Sequence, residues 1–191
     1  MTFVTRLMAP VLISAVLSGC AATPNVSSMS PSDIEQKVLV NNSEFDANIR
    51  LTGMNLKKVE ESGFLTGYDY INYMTRSWVN KETSSVTHQV YISIAYAAGG
   101  WRFYNSATLK GGDPLEFTSI NRDVVGCQGG TYVSSCNYKE TIGINLTDDF
   151  LQSKSDDGIS FRISSQSGKE NVLNIPSNYL QGYLTAVKKA Q

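Results

Sequence analysis

Val86-Thr87-His88-Gln89-Val90-Tyr91-Ile92-Ser93-Ile94-Ala95-Tyr96-Ala97-Ala98 alternates with a period of two. Val86, His88, Val90, Ile92, Ile94, Tyr96 and Ala98 fall on one side, and Thr87, Gln89, Tyr91 and Ser93 on the other. That is the pattern of a strand with one face in a core and one in water. Gly99-Gly100 follows and predicts a tight turn into a partner strand carrying Trp101, Phe103, Asn105, Ala107 and Leu109, with Arg102, Tyr104, Ser106 and Thr108 opposite. Upstream, Asn80-Lys81-Glu82-Thr83-Ser84 reads as a polar turn after a longer strand, Phe64 to Val79. Alternation in that strand is imperfect, with Phe64, Tyr68, Tyr70, Met74 and Trp78 on its even-numbered side.

Working outward, Val38-Leu39-Val40 and Glu44 to Thr52 read as strands. The turn cluster Lys110-Gly111-Gly112-Asp113-Pro114 opens a strand from Leu115 to Gly126 that ends at Cys127. Tyr138 to Leu146 follows, with Tyr138, Glu140, Ile142, Ile144 and Leu146 on one side. The polar stretch Asp148 to Asp157 predicts one or two helical turns, capped by Thr147 or Asp148 and stopped at Gly158. Two short strands, Ile159-Phe161-Ile163 and Val172 to Ile175, precede a change of period. After Pro176, Tyr179, Leu180, Tyr183, Leu184 and Val187 recur at spacings of three and four, with Lys188 and Lys189 in the last turn complementing the helix dipole. Short strands with frequent turn signals and no βαβ alternation predict a mainly β, antiparallel fold. The expected architecture is a sandwich or half-open barrel of about eight strands with a C-terminal amphipathic helix.

The N-terminus carries a different kind of signal. Arg6 precedes an apolar run from Leu7 to Leu17, the layout of a secretory signal peptide. A spanning helix needs about 20 apolar residues to cross roughly 30 Å of hydrocarbon, so this run is a targeting segment. Leu17-Ser18-Gly19-Cys20 resembles the lipobox of bacterial lipoproteins, a likeness confined to residues 1–20. The resemblance implies cleavage before Cys20 and its acylation, and several acyl chains on one residue make a durable anchor. Ala21 after the cysteine implies, by the same likeness, sorting to the outer membrane with the domain facing the periplasm. The expected organisation is a signal peptide over 1–19, a lipidated tether over 20–31, and a single β-rich domain over 32–191. The tether is expected from AATPNVSSMSP, uncharged and with two prolines, able to reach roughly 35 Å if extended. Ser32 to Glu35 matches a capping box for a short helix, in competition with the strand after it.

With Cys20 acylated, Cys127 and Cys136 remain as an even pair in an exported chain, which predicts one disulfide. Charge narrows the partners. The chain holds 16 Lys and Arg against 17 Asp and Glu, with no basic run to neutralise phosphates, so nucleic acid is not an expected partner.

Residues able to do chemistry are few. His88 is the only histidine and is expected on the apolar face of its strand, as is Glu140 on another. If those strands were neighbours the two would form a general-base pair; a histidine satisfied by a hydroxyl or backbone group at the core's edge is the competing reading. No Gly-x-Ser-x-Gly or Ser-x-x-Lys motif accompanies them. Asp148-Asp149 and Asp156-Asp157 lack the spacing of a calcium loop, and no metal or cofactor is implied. Ten tyrosines and two tryptophans suit either a β core or a recognition surface. Alternation points Tyr73, Tyr91 and Tyr104 outward as candidate binding aromatics. The expected function is a binding or structural module for an envelope protein or glycan. A hydrolase using His88 with a carboxylate, and a carrier of small apolar ligands or lipids between sheet and helix, are the alternatives.

Overall fold

A computed structural model describes residues 25–61, 67–129 and 134–191. The signal segment, Leu17-Ser18-Gly19-Cys20 and the start of the tether lie outside the described residues, as do Phe64 and residues 130–133 of the loop between the two cysteines.

The strand quoted above is β5 (Val86–Ala98), an interior member of one curled antiparallel sheet. The other strands are β1 (Leu39–Asn41), β2 (Asn48–Thr52), β3 (Leu56–Glu61), β4 (Tyr68–Asn80), β6 (Tyr104–Leu109), β7 (Pro114–Gly129), β8 (Ser134–Leu146), β9 (Ile159–Ser165) and β10 (Glu170–Ile175). They pair in the order β1-β2-β4-β5-β8-β7-β6-β9-β10, with β3 lying on β4 beyond β2. β2 covers Arg76–Asn80 and β3 covers Tyr68–Tyr73 of the same β4 edge, so the two act as one strand broken at Gly53. The result is a half-barrel. Its opening, between β3 and β10, is bridged by side chains: Lys58 Nζ donates to the Val172 carbonyl, Tyr73 Oη to that of Asn174 at 2.8 Å, and Asn171 Nδ2 to Glu60.

Burial follows the expected alternation on β5 and β8. Val90, Ile92, Ile94, Ile142 and Ile144 are at most 1% exposed and form the core's centre. On β4 the inner positions are Asp69, Ile71, Tyr73, Thr75, Ser77 and Val79, all buried, and the even-numbered aromatics face outward. Three polar residues on the inner face are why β4 alternates so poorly as a sequence.

The expected β5–β6 hairpin at Gly99-Gly100 does not form. β5 pairs with β4 and β8, whereas β6 lies two strands further along, between β7 and β9. The β6-β7-β8 hairpins therefore fold back beside β5 in a Greek-key arrangement. A bulge between Tyr104 and Ser106 shifts the β6 register and turns Tyr104 into the core.

Among the described residues three α-helices complete the fold: α1 (Pro31–Glu35), α2 (Asp148–Ser153, capped by Thr147) and α3 (Ser177–Ala190). The α1 cap is Ser30 with Asp33, two residues before the expected Ser32–Glu35 box. Pro31 has no N–H to lose and so occupies the first helical position. Nor is the described end of the tether free of the domain. Asn178 Nδ2 donates to the carbonyls of Val26 and Met29, both at 2.8 Å, and the side chains of these two residues pack against the core.

α3 lies between the sheet's inner face and α1. Tyr179 and Tyr183 reach the sheet, and Gly182 meets α1, where a Cβ would overlap the Pro31 carbonyl oxygen and crowd Ile34. Gly182→Val should lower stability by about 1–3 kcal/mol by forcing α1 away. Denaturant unfolding checks this: the midpoint should fall with little change in slope, and an unchanged midpoint would refute the close approach.

Candidate functional site

The barrel has two ends, defined by β4: one at Tyr68, the other at Asn80. His88 and Glu140 sit at opposite ends. β5 and β8 are neighbours, but their antiparallel register sets His88 against Leu146 and Glu140 against Ile94. Six strand residues, roughly 20 Å, separate the two, so the expected pair does not form.

Glu140 belongs to the Tyr68 end. It is fully buried and accepts from four donors: the backbone N–H groups of Phe103 and Tyr104 (both 3.0 Å), Arg122 Nε (3.2 Å) and the Tyr96 hydroxyl. Beside it Arg102 makes a two-pronged pair with buried Asp69, at 2.6 and 3.0 Å, and stacks on Tyr96. Such pairs are tolerated inside a protein because every charge and lone pair is answered. Burial raises the Tyr96 phenol far above its ordinary value, and the Glu140 bond adds to the shift. Tyr104 is pushed up to about 12, chiefly by burial. These groups hold the 99–103 connection in place.

His88 belongs to the Asn80 end, where its ring is 1% exposed. Nε2 lies 2.9 Å from Asp148 Oδ1 and Nδ1 lies 2.6 Å from Ser77 Oγ. A carboxylate accepts only, so Nε2 carries the proton. Nδ1 then accepts from Ser77, and Ser77 in turn accepts from Tyr183 Oη at 2.5 Å. Burial pulls the His88 pKa below 6.5, against the opposing pull of Asp148, which keeps the ring neutral at pH 7. Both nitrogens are engaged within the protein.

Of the three candidate binding tyrosines only Tyr91 faces outward, half-buried with the Arg76 guanidinium 4.4 Å over its ring. Tyr73 and Tyr104 are buried, bonded to the Asn174 carbonyl and the Asn171 side chain. Tyr73 was drawn inward by the polar inner row of β4, Tyr104 by the bulge in β6. Cys127 and Cys136 are disulfide-bonded at opposed positions of β7 and β8. Among the described residues no three His, Cys, Asp or Glu side chains converge as a metal site, the acidic pairs near α2 included.

The outer sheet face holds what alternation missed. At the Tyr68 end, Val59, Tyr70, Ala95, Lys139 and Asp123 are directly opposed across five strands. Tyr68 (51%), Tyr70 (53%), Val59 (56%) and Val125 (67%) are exposed, far more than large apolar residues need be. Tyr68, Tyr70, Val125 and Asn137 wall a groove of about 440 Å³ over the small side chains of Ala95 and Ala97. The even-numbered aromatics of β4 were the available signal, masked by Asp69, Thr75 and Ser77 between them. At the other end a cleft of about 470 Å³ runs past Trp78, Thr87, Glu116, Asn145 and Asp148. No family model matches the chain, and no curated protein or solved structure matches it.

The state of His88 sets a pH dependence. Its folded pKa lies below its unfolded one, so the unfolded chain binds the extra proton first and stability falls as pH drops through 6.5 toward the folded value. His88→Gln should remove this component. The stability gap between wild type and variant should widen as pH is raised from about 5 to 8; a constant gap in denaturant titrations would refute it.

Proposed function

We propose that this chain is a lipid-anchored binding module of the bacterial outer membrane. In this reading it faces the periplasm and holds an envelope component, protein or glycan, in the groove of Tyr68, Tyr70 and Val125. The observation that carries the reading is the alanine floor between exposed aromatic and aliphatic walls, on a sheet face that α1 and α3 leave uncovered. Tyrosines on a rigid strand offer large contact area with little entropy to lose. The lipobox likeness at Leu17–Cys20 supplies the anchor and the compartment.

The rival readings have less support. A hydrolase needs a histidine nitrogen facing its substrate, and both nitrogens of His88 are bonded to Ser77 and Asp148. A carrier needs room between sheet and helix, where Tyr179 and Tyr183, both 0% exposed, bond to Thr75 and Ser77.

Ala95→Arg should fill the groove without touching the core. With a photo-crosslinking residue at Ala97, the unaltered groove should give a discrete adduct in cells, and Ala95→Arg should abolish it while leaving the melting temperature nearly unchanged. No adduct, or one indifferent to Ala95→Arg, would refute the groove. For the anchor, metabolic labelling with an alkyne fatty acid should mark the wild type and fail on Cys20→Ser; equal labelling of the two would show that Cys20 is not the acylated residue.

A further inference from the structure

The cleft at the Asn80 end is separate from that groove and has different chemistry. Its apolar side is Trp78, Val86 and Leu146; its polar side is Thr87, Glu116, Asn145, Thr147 and Asp148, with no Lys or Arg among the lining residues. Each carboxylate is aimed by a neutral donor from the protein. Asp148 Oδ1 accepts from His88 Nε2 at 2.9 Å, and Glu116 Oε1 from Asn145 Nδ2 at 2.8 Å. Asn145 is itself held by Gln89 Nε2 at 2.6 Å, and Gln89 by Arg76 Nε at 3.0 Å. Arg76, Gln89, Asn145 and Glu116 are directly opposed on four adjacent strands, so the donors all point one way and end on Glu116. A side chain at position 143 would collide with the Gln89 amide, and glycine there leaves that amide room to lie flat in the row.

The row uses up the nearby amide donors and leaves acceptors facing the cleft. Arg76 bonds Gln89 and lies over the rings of Trp78 and Tyr91 at 5.0 and 4.4 Å. Among the described residues neither Glu116 nor Asp148 has a Lys or Arg partner, unlike Asp46, Asp69, Glu140 and Glu170. The matching occupant is cationic and rich in donors. A metal ion is a poor match, since no three ligating side chains converge among the described residues. An alkylammonium meets both demands: three N–H donors for the two carboxylates, and a methylene stem for the Trp78, Val86 and Leu146 side.

We propose that this cleft binds the ammonium group of an aliphatic primary amine between Glu116 and Asp148. The full chain carrying Trp101→Phe leaves Trp78 as the only tryptophan and reports on the cleft by fluorescence. Titration with cadaverine should give a saturable change that weakens with added salt. Glu116→Gln and Asp148→Asn, which keep the bonds to Asn145 and His88 possible, should each weaken binding roughly tenfold. Nα-acetyl-lysine methylamide distinguishes the source: tighter binding than cadaverine assigns the ammonium to a lysine side chain of a partner, and weaker binding assigns it to a free amine. No saturable change, an equal response to the uncharged 1,5-pentanediol, or indifference to Glu116→Gln would overturn the proposal.

Discussion

The Glu140 carboxylate is the constraint from which the rest of this fold follows. It is buried at the barrel's Tyr68 end, where a charge without partners is prohibitive. Its acceptors answer two backbone N–H groups of the β5–β6 connection, one phenol and one guanidinium. Phe103 takes a left-handed conformation there (φ 55°), strained for an aromatic residue, and its N–H bond to Glu140 holds it. That short, pinned connection carries the chain across the end of the barrel instead of back along β5. The Greek-key order, and with it the place of β8 beside β5, depends on that crossing.

The opposite end is organised by tyrosines. Tyr179 and Tyr183 project from α3 into the sheet and bond to Thr75 and Ser77, and Ser77 passes the chain on to His88 and Asp148. Burial pushes the Tyr179 phenol up to about 12 and raises Tyr183 further, so both remain protonated donors at any physiological pH. Polar groups inside are acceptable because each finds a partner. The consequence is a core whose two ends are specified by hydrogen bonds and whose middle is specified by packing.

Turning the polar side chains of β4 inward sends its aromatics out. Tyr68 and Tyr70 stand over alanines at one end, and Arg76 and Trp78 stack at the other. The outer face thus carries an apolar groove and an acidic cleft on the same rigid strands, while the lone histidine turns both nitrogens into the protein. Contact surfaces and carboxylates are exposed on the outer face, while the His88 ring is enclosed.

Read as a string, residues 86–98, 138–146 and 177–190 determined their own structure, because apolar residues recurring at two or at three and four report directly which side is buried. The two cysteines of β7 and β8 were legible as a pair from their count once the lipobox likeness sets Cys20 aside. Tertiary structure alone decided which strand β6 joins, which end of the barrel each polar residue serves, and which tyrosines face out. Those outcomes rest on partners far apart in the chain, such as Asp69 with Arg102, Ser77 with Tyr183, and Tyr104 with Asn171. A polar residue reads as exposed until its distant partner is brought beside it, and that is why the alternation of β4 looks imperfect in the sequence and why Tyr73 and Tyr104 lie inside rather than outside.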